Sequence, residues 1–255
     1  MAIFRLGHVE VRTPDLELCA AYYTEVLGLR EVARDEGHVY LKGWDEQDHH
    51  SLMLTGANRY GLEHVAFKTE SIDDLEGYET NLERYGCTVE RIAAGTELGQ
   101  GEAIRFDSPT GHTMEIYAKM EKVGNGLPLF NPPPMPMDLV GISPPRLDHC
   151  LLTTENVPDA ARFMSEVLGF RLTEQLVTNE GYQLIVFFER SRQPHDIAFT
   201  RGAMISATSA TISCRSNPTC STSSRPASIL EKSRMSLIRL SKDSPERCAI
   251  SARRR

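Results

Sequence analysis

The sequence predicts an α+β fold assembled from repeated β-α-β-β-β modules. Residues 5–30 recur as residues 146–171, an offset of 141, with ten of 26 aligned positions identical. A weaker copy of the same strand recurs 56 residues after the first, at residues 62–69. Self-similarity at fixed offsets is typical of a fold built from copies of one supersecondary unit. We therefore expect two modules in each half of the chain.

The first module is expected to contain a strand, a helix and further short strands. Leu6, His8 and Glu10 alternate onto one face of the strand. The pair Thr13-Pro14 predicts the start of the helix, and Gly28 follows its predicted end. Short strands are predicted over 37–43 and 50–55.

The second and third modules follow the same order. The second is predicted as strand 62–68, helix 71–86 and strands near 87–92, 102–107 and 113–118. The third repeats the helical apolar stripe near residues 157–168 and has strands over 170–177, 182–189 and 195–200. Between them, residues 124–145 contain seven prolines and no periodicity, which indicates a linker.

The composition changes abruptly near residue 202. Residues 201–255 contain 13 serines, nine arginines and no aromatic residue, whereas all 18 aromatic residues precede them. One interpretation is a natural disordered Ser/Arg-rich tail. The other is a change of reading frame in the gene. One possible nucleotide sequence for residues 203–213, read one nucleotide earlier, encodes a strand-like segment that contains His-Val followed by an aromatic residue. The fourth module is therefore predicted to be corrupted or missing.

These boundaries divide the chain into four predicted regions. They are an N-terminal domain over 1–123, a Pro-rich linker over 124–145, the start of a C-terminal domain over 146–202, and an aberrant tail over 203–255.

Charge and composition exclude several classes of partner. Residues 1–200 carry 17 Lys/Arg against 32 Asp/Glu, so we expect no binding to nucleic acid or to anionic membranes. No apolar run approaches 18 residues. Six scattered cysteines without a C-x-x-C motif favour free thiols, and hence a cytoplasmic protein.

The repeat places potential metal ligands on corresponding strands. In the first half these are His8, His64 and Glu115, and two histidines with one carboxylate form the facial triad typical of non-haem Fe(II). Shifted by 141 residues, the same set becomes His149, a histidine near 205 and a glutamate near 256. The chain contains only His149 of these three.

The remaining histidines carry weaker signals. His195 begins a predicted strand that faces the same cavity as His149. We interpret His49 and His50 as an exposed loop pair, and His38 and His112 as strand-edge and turn residues. Glu25 and Glu166 also repeat, but their place in the last helical turn favours packing or solvent exposure over chemistry.

Several long motifs match a known family over residues 1 to about 202. They include LGHVEVR, YYTEVLGL, VYLKGWDEQDHHSLML, DSPTGHTMEIYA, RLDHCLL and PHDIAFT. The chain thereby resembles the two-domain extradiol ring-cleaving dioxygenases, most closely the catechol 2,3-dioxygenases. The resemblance implies paired modules of the vicinal oxygen chelate type, two per domain.

The resemblance also implies a function and site residues. Fe(2+) would be bound only in the C-terminal, catalytic domain, with His149 as a ligand and His195 as an acid–base residue beside the oxygen site. Catechol and O2 would be the substrates and 2-hydroxymuconate semialdehyde the product, in aromatic hydrocarbon catabolism. A homotetramer is implied as well. The N-terminal set of His8, His64 and Glu115 is not expected to bind the iron.

Two alternatives remain open at this stage. One is a glyoxalase-like enzyme that uses another divalent metal on the same modules, because a fold does not determine its chemistry. The other is a metal-free protein that binds a small aromatic molecule. The chain with the sequence as it stands, including residues 203–255, is called the printed chain. It is expected to be poorly soluble, iron-free and inactive.

Overall fold

A computed structural model describes residues 2–202 of the protein, together with the backbone of residues 210–215 and 235–239. The first half forms one eight-stranded sheet in the order β2-β3-β4-β1-β5-β8-β7-β6. Its strands are β1 (Ile3–Thr13), β2 (Arg30–Arg34), β3 (His38–Lys42), β4 (Leu52–Gly56), β5 (Gly61–Thr69), β6 (Val89–Ile92), β7 (Ala103–Asp107) and β8 (Thr113–Tyr117).

The sheet order shows that two equivalent modules meet at its centre. β1 pairs with β4 in parallel, and β5 pairs with β8 in parallel. The central pair, β1 and β5, is antiparallel. The predicted β-α-β-β-β module is therefore confirmed, although β2 was not predicted. Its sequence, REVAR, has partly or fully exposed side chains and lacks a clear apolar alternation.

The helix of the first module is short and ends in a wider turn. α1 (Leu16–Ala21) continues as a π-helical turn over Tyr22–Val26, and Gly28 then takes a positive φ of 75°. The N-cap is Asp15, whose carboxylate accepts a hydrogen bond from the Leu18 backbone amide at 2.9 Å. The predicted start at Thr13-Pro14 is therefore wrong. Thr13 still belongs to β1, because its backbone pairs with Gly56 of β4.

The helix of the second module is α2 (Asp73–Tyr85), close to its predicted bounds. It buries Leu75, Tyr78 and Leu82 against the sheet. Within the part of the chain that is described, no helix is both long and apolar enough to span a membrane.

The second half repeats the first module and then departs from it. It contains β9 (Leu147–Thr154), α3 (Val157–Arg162), a π-helical turn (Phe163–Val167), β10 (Arg171–Val177), β11 (Gln183–Glu189) and β12 (Ile197–Arg201). The order β10-β11-β12-β9 is that of β2-β3-β4-β1. Beyond β9 lie β13 (Ala210–Arg215) and β14 (Met235–Arg239), paired antiparallel.

The two halves pack on each other through aromatic side chains. The rings of Phe67 and Phe170 lie 5.0 Å apart, and those of Tyr85 and Phe163 lie 5.3 Å apart. The predicted linker contains neither helix nor strand over 124–145, and it returns along the first half, where the Ser143 amide donates to the Leu27 carbonyl at 2.8 Å. Buried apolar side chains from both halves thus join one hydrophobic core.

Candidate metal centres in the two halves

The central strands of the first sheet bring two histidines together. His8 on β1 lies opposite Ala66, and His64 on β5 lies opposite Glu10. The two imidazoles therefore occupy neighbouring positions across one strand pair, and their Nε2 atoms are 2.9 Å apart. Both side chains are fully buried.

Two glutamates complete this group. Glu115 on β8 lies beside Ala66 in the parallel pair β5–β8. Glu97 comes from the loop between β6 and β7, and its Oε2 lies 3.2 Å from His8 Nε2, with Oε1 3.7 Å from His64 Nε2. One ligand atom from each of His8, His64, Glu97 and Glu115 lies within 4.8 Å of all the others. We call these four residues the N-terminal cluster.

Three polar residues surround the N-terminal cluster. Arg105 donates to Glu115 Oε2 and to Glu97 Oε1, both at 2.6 Å. Gln100 Nε2 donates to the other oxygen of Glu115 at 2.7 Å. Glu10 lies behind His64, with its Oε2 2.8 Å from His64 Nδ1. A carboxylate behind an imidazole orients the ring and leaves its other nitrogen facing the cluster.

The pKa directions in this group follow from burial and charge. Burial opposes ionisation of Glu97, but the adjacent His8 and His64 outweigh it and lower the pKa of Glu97. Burial likewise opposes protonation of His64, yet Glu10 and Glu115 raise the pKa of His64. Burial lowers the pKa of nearby His50 well below its usual range, so that this imidazole is neutral.

In the second half, the structure brings the side chains of His149 and His195 close together. Their ring centroids are 5.9 Å apart. His149 is buried on β9, and Asp148 Oδ2 lies 3.0 Å from its Nδ1. His195, just before β12, is partly exposed and has Thr173 Oγ1 3.4 Å from its Nδ1.

The position of a second histidine ligand in this half can be read from strand pairing. Leu151 stands where Glu10 stands in the first half, and Leu151 pairs with Thr211 on β13 as Glu10 pairs with His64. Threonine therefore occupies the register position of the histidine. The predicted position near 205 lies outside the described residues, as does most of the tail.

The two halves fit a metal ion to different degrees. The N-terminal cluster supplies two imidazole nitrogens and two carboxylates, a donor set that suits divalent iron, manganese or zinc. In the second half, the described residues supply His149 and the neighbouring His195 without a carboxylate ligand of the repeat. The described residues of the second half therefore do not provide a complete set of ligands for a metal ion.

Several expectations about single residues are corrected by the structure. His49 and His50 are buried, so the interpretation as an exposed loop pair is wrong. The segment before β4 packs against the sheet, where the ring of His50 contacts the rings of Tyr40 and His8. His112 is also buried, beside Phe199. Glu25 and Glu166 are exposed, in agreement with the interpretation that they carry no chemistry.

Glu97, Gln100 and Arg105 were missed by the sequence analysis. Glu97 and Gln100 lie in a loop without periodicity. Only the tertiary fold places this loop next to His64 and Glu115. Arg105 could have been found from the register, because it lies directly opposite Glu115 in the pair β7–β8.

Comparisons with known proteins agree with this fold. Residues 62–121 match the family described as "Catechol 2,3-dioxygenase-like N-terminal domain". Residues 146–212 match the "Glyoxalase/Bleomycin resistance protein/Dioxygenase superfamily".

Two curated relatives cover most of the described chain. A metapyrocatechase of Pseudomonas sp. (strain CF600) is 40% identical over 199 residues, which are 77% of this chain and 65% of the relative. A manganese-dependent 2,3-dihydroxybiphenyl 1,2-dioxygenase of Geobacillus genomosp. 3 is 33% identical over 199 residues, 76% of this chain and 62% of the relative. The chain thus spans less than two thirds of the length of these relatives.

Solved structures show the same relationship. The 2,3-dioxygenase LapB from Pseudomonas sp. KL28 superposes with a TM-score of 0.74 and 38% identity, over 79% of this chain and 72% of that chain. Homoprotocatechuate 2,3-dioxygenase from Brevibacterium fuscum gives a TM-score of 0.71 and 31% identity, over 79% and 61%. With its repeated modules on the α+β vicinal oxygen chelate fold, the chain belongs to the extradiol dioxygenase family.

Proposed function

We propose that the protein encoded by this gene without the change of reading frame after about residue 202 cleaves catechol with O2. The reaction would take place at an Fe(2+) centre in the second half of that protein, which we call the in-frame parent. The product would be 2-hydroxymuconate semialdehyde, formed in aromatic hydrocarbon catabolism. The observation that carries this proposal is the pair of His149 and His195, which lie 5.9 Å apart between ring centroids on a half that repeats the first module.

His149 is proposed as the metal ligand. Its Nδ1 faces Asp148, which would hold the ring in the tautomer that leaves Nε2 free to bind a cation. Burial of the side chain supports this role, because it keeps bulk water away from the bond.

His195 is proposed as the acid–base residue. It is partly exposed, so a substrate can approach it, and the centroid of its ring lies 4.6 Å from that of the tilted Phe187 ring. Histidine is the side chain that most often transfers protons in catalysis near neutral pH. Glu174 Oε1 lies 3.9 Å from the His195 Nε2 atom.

The printed chain is proposed to be inactive. Thr211 occupies the register position of the second histidine, and no histidine follows His195 in the sequence. The abrupt loss of aromatic residues after 202 supports a change of reading frame, with residues 1–123 and 146–202 as parts of an N-terminal and a catalytic domain. A cytoplasmic homotetramer is part of this proposal.

Manganese is the alternative metal. One relative is named as a manganese-dependent dioxygenase, and it is 33% identical to this chain. The donors of a facial triad accept either ion, so the residues alone do not favour iron.

The test compares the printed chain with a version whose reading frame is restored after codon 202. Both are loaded anaerobically with Fe(2+) or Mn(2+) and mixed with catechol and O2, and the yellow ring-fission product is followed by its absorbance. We expect product only from the restored chain. Absence of product with both metals and with substituted catechols would contradict the proposal and favour the glyoxalase-like or binding alternative.

A further inference from the structure

We propose that the N-terminal cluster of His8, His64, Glu97 and Glu115 is a second, structural site for a divalent transition-metal ion. It is separate from the centre proposed around His149 and does not depend on that proposal. That the catalytic iron is not bound by His8, His64 and Glu115 stays a prediction from the sequence. The fold brings one ligand atom of each of the four residues within 4.8 Å of the others.

The distances among the ligand atoms fit one ion. With bonds of about 2.1 Å, adjacent ligands of one ion lie about 3 Å apart and opposite ligands about 4 Å apart. The two Nε2 atoms are 2.9 Å apart, and Glu97 oxygens lie 3.2 and 3.7 Å from them. The whole set spans no more than 4.8 Å. Displacements of a few tenths of an ångström would therefore be enough to bind a cation.

The surroundings of His64 are those of a metal-bound histidine. Its Nε2 faces the cluster while its Nδ1 lies 2.8 Å from Glu10. Ligating histidines characteristically give their other ring nitrogen to a carboxylate, which fixes the tautomer. Glu10 is itself held by the hydroxyl of Thr55.

Buried carboxylates outnumber the guanidinium that contacts them. Glu10, Glu97 and Glu115 are at most 5% exposed, and Arg105 is the guanidinium that contacts the latter two. Buried charge is strongly unfavourable unless it is paired, so a cation between these carboxylates would stabilise the fold.

Three fully buried atoms of the cluster also lack a hydrogen-bond partner in good geometry, and one of them is His64 Nδ1, despite lying 2.8 Å from Glu10 Oε2. Glu97 Oε2 has no donor in good geometry, although His8 Nε2 lies 3.2 Å away. His8 Nδ1 is likewise without a partner. A bound ion would satisfy Glu97 Oε2 directly, because an unpartnered buried carboxylate oxygen is a strong ligand for a cation.

The site is structural because its surroundings leave no position for a substrate. All four ligating residues are buried, and both oxygens of Glu115 already accept hydrogen bonds from Gln100 and Arg105. Closed sites with two imidazoles and carboxylates favour zinc over manganese in the usual order of affinities. Zn²⁺ is therefore the ion that we expect to bind most tightly.

The test uses the full printed chain, refolded from denaturant, freed of metal with a chelator and then titrated with Zn²⁺ and Mn²⁺. Bound metal is measured by elemental analysis after gel filtration, and stability by thermal unfolding. We expect about one Zn²⁺ per chain and a higher unfolding temperature in its presence. His64→Ala should lose the ion, and Glu97→Gln, which keeps the shape of the side chain, should weaken binding at least ~10-fold.

The matched control is His38→Ala, which removes a partly exposed histidine outside the N-terminal cluster. This variant should bind Zn²⁺ as the unmodified chain does. If His64→Ala does not fold, Glu97→Gln decides the outcome. The proposal is overturned if the chain takes up no metal, if Glu97→Gln binds Zn²⁺ as tightly as the unmodified chain, or if His38→Ala weakens binding as much as Glu97→Gln does.

Discussion

His8 and His149 occupy the same position of the repeat, on the strands that open the two halves. His8 is enclosed by His64, Glu97 and Tyr117, and its ring is completely buried. His149 instead faces the partly exposed His195. The strands that carry the two histidines, β1 and β9, have similar sequences. The strands that pair with them, β5 and β13, do not.

This difference shows that the pairing strand determines which ligands complete the site of a module. In the first half β5 contributes His64 and β8 contributes Glu115, next to each other in the sheet. In the second half β13 takes the place of β5 but contributes Thr211 at the same register position. One module alone therefore presents a single histidine, and its partner module completes the site.

The largest effect is expected from His149→Ala in the chain with a restored reading frame. Loss of a metal ligand should abolish ring cleavage and release the iron that is bound in the second half. The measurement is iron content together with product formation from catechol. Full iron content in the variant would contradict the role of His149 and would point to the N-terminal cluster as the iron site.

A smaller effect is expected from His195→Ala in the same restored chain. It should keep its iron and slow turnover about 10²–10⁴-fold, the usual range for loss of a positioned acid–base group. Single-turnover kinetics and iron analysis check this. Loss of iron along with activity would instead make His195 a metal ligand.

The charge network of the first half can be tested with Arg105→Met in the metal-free printed chain. Removing the guanidinium leaves Glu97 and Glu115 buried without their ion-pair partner. We expect a loss of about 3 kcal/mol in the free energy of unfolding, because one partner of a buried pair is removed. Denaturant unfolding measures this loss. Arg91→Met, at an exposed ion pair with Glu79, is the control that should leave the stability close to that of the unmodified chain.

The contact between the halves is expected to weaken in acid. Burial lowers the pKa of His112 from 6.5 to about 4, and its ring lies 6.3 Å from that of Phe199 in the second half. The unfolded chain binds this proton below pH 6.5 while the folded chain does not until about pH 4. Stability is therefore complete above pH 6.5 and declines as the pH falls, by about 2 kcal/mol at pH 5.

Unfolding as a function of pH measures this decline. His112→Asn should flatten the slope between pH 6.5 and 4, because asparagine does not titrate. An unchanged slope in the variant would assign the acid sensitivity to other groups.

The smallest effects should be alike in the two halves. Asp15 and Asn156 are the N-caps of α1 and α3 and accept hydrogen bonds from the backbone amides of Leu18 and Asp159. Asp15→Ala and Asn156→Ala should each cost about 1 kcal/mol. Equal losses in thermal unfolding would show that the halves differ at their strand pairs and not at their helices.

Most of the secondary structure could be predicted from the sequence, because alternation and periodicity are local. The bounds of α2 and of the strands after it lie within a few residues of the prediction. β2 could not be predicted, since its side chains are largely exposed and it is held by pairing with β3. The N-cap was misplaced by two residues, because Thr13 and Asp15 are both good capping residues and only the backbone conformation distinguishes them.

The sequence by itself determined the family, the repeated module and the histidines that the repeat carries. Each of these follows from residue identity and spacing along one strand or helix. Only the tertiary structure decided which residues meet: it brought Glu97 from a loop to His8 and His64, and it buried His50. The physical reason is that strand register and loop course are set by packing across the sheet, whose partners are distant in the sequence.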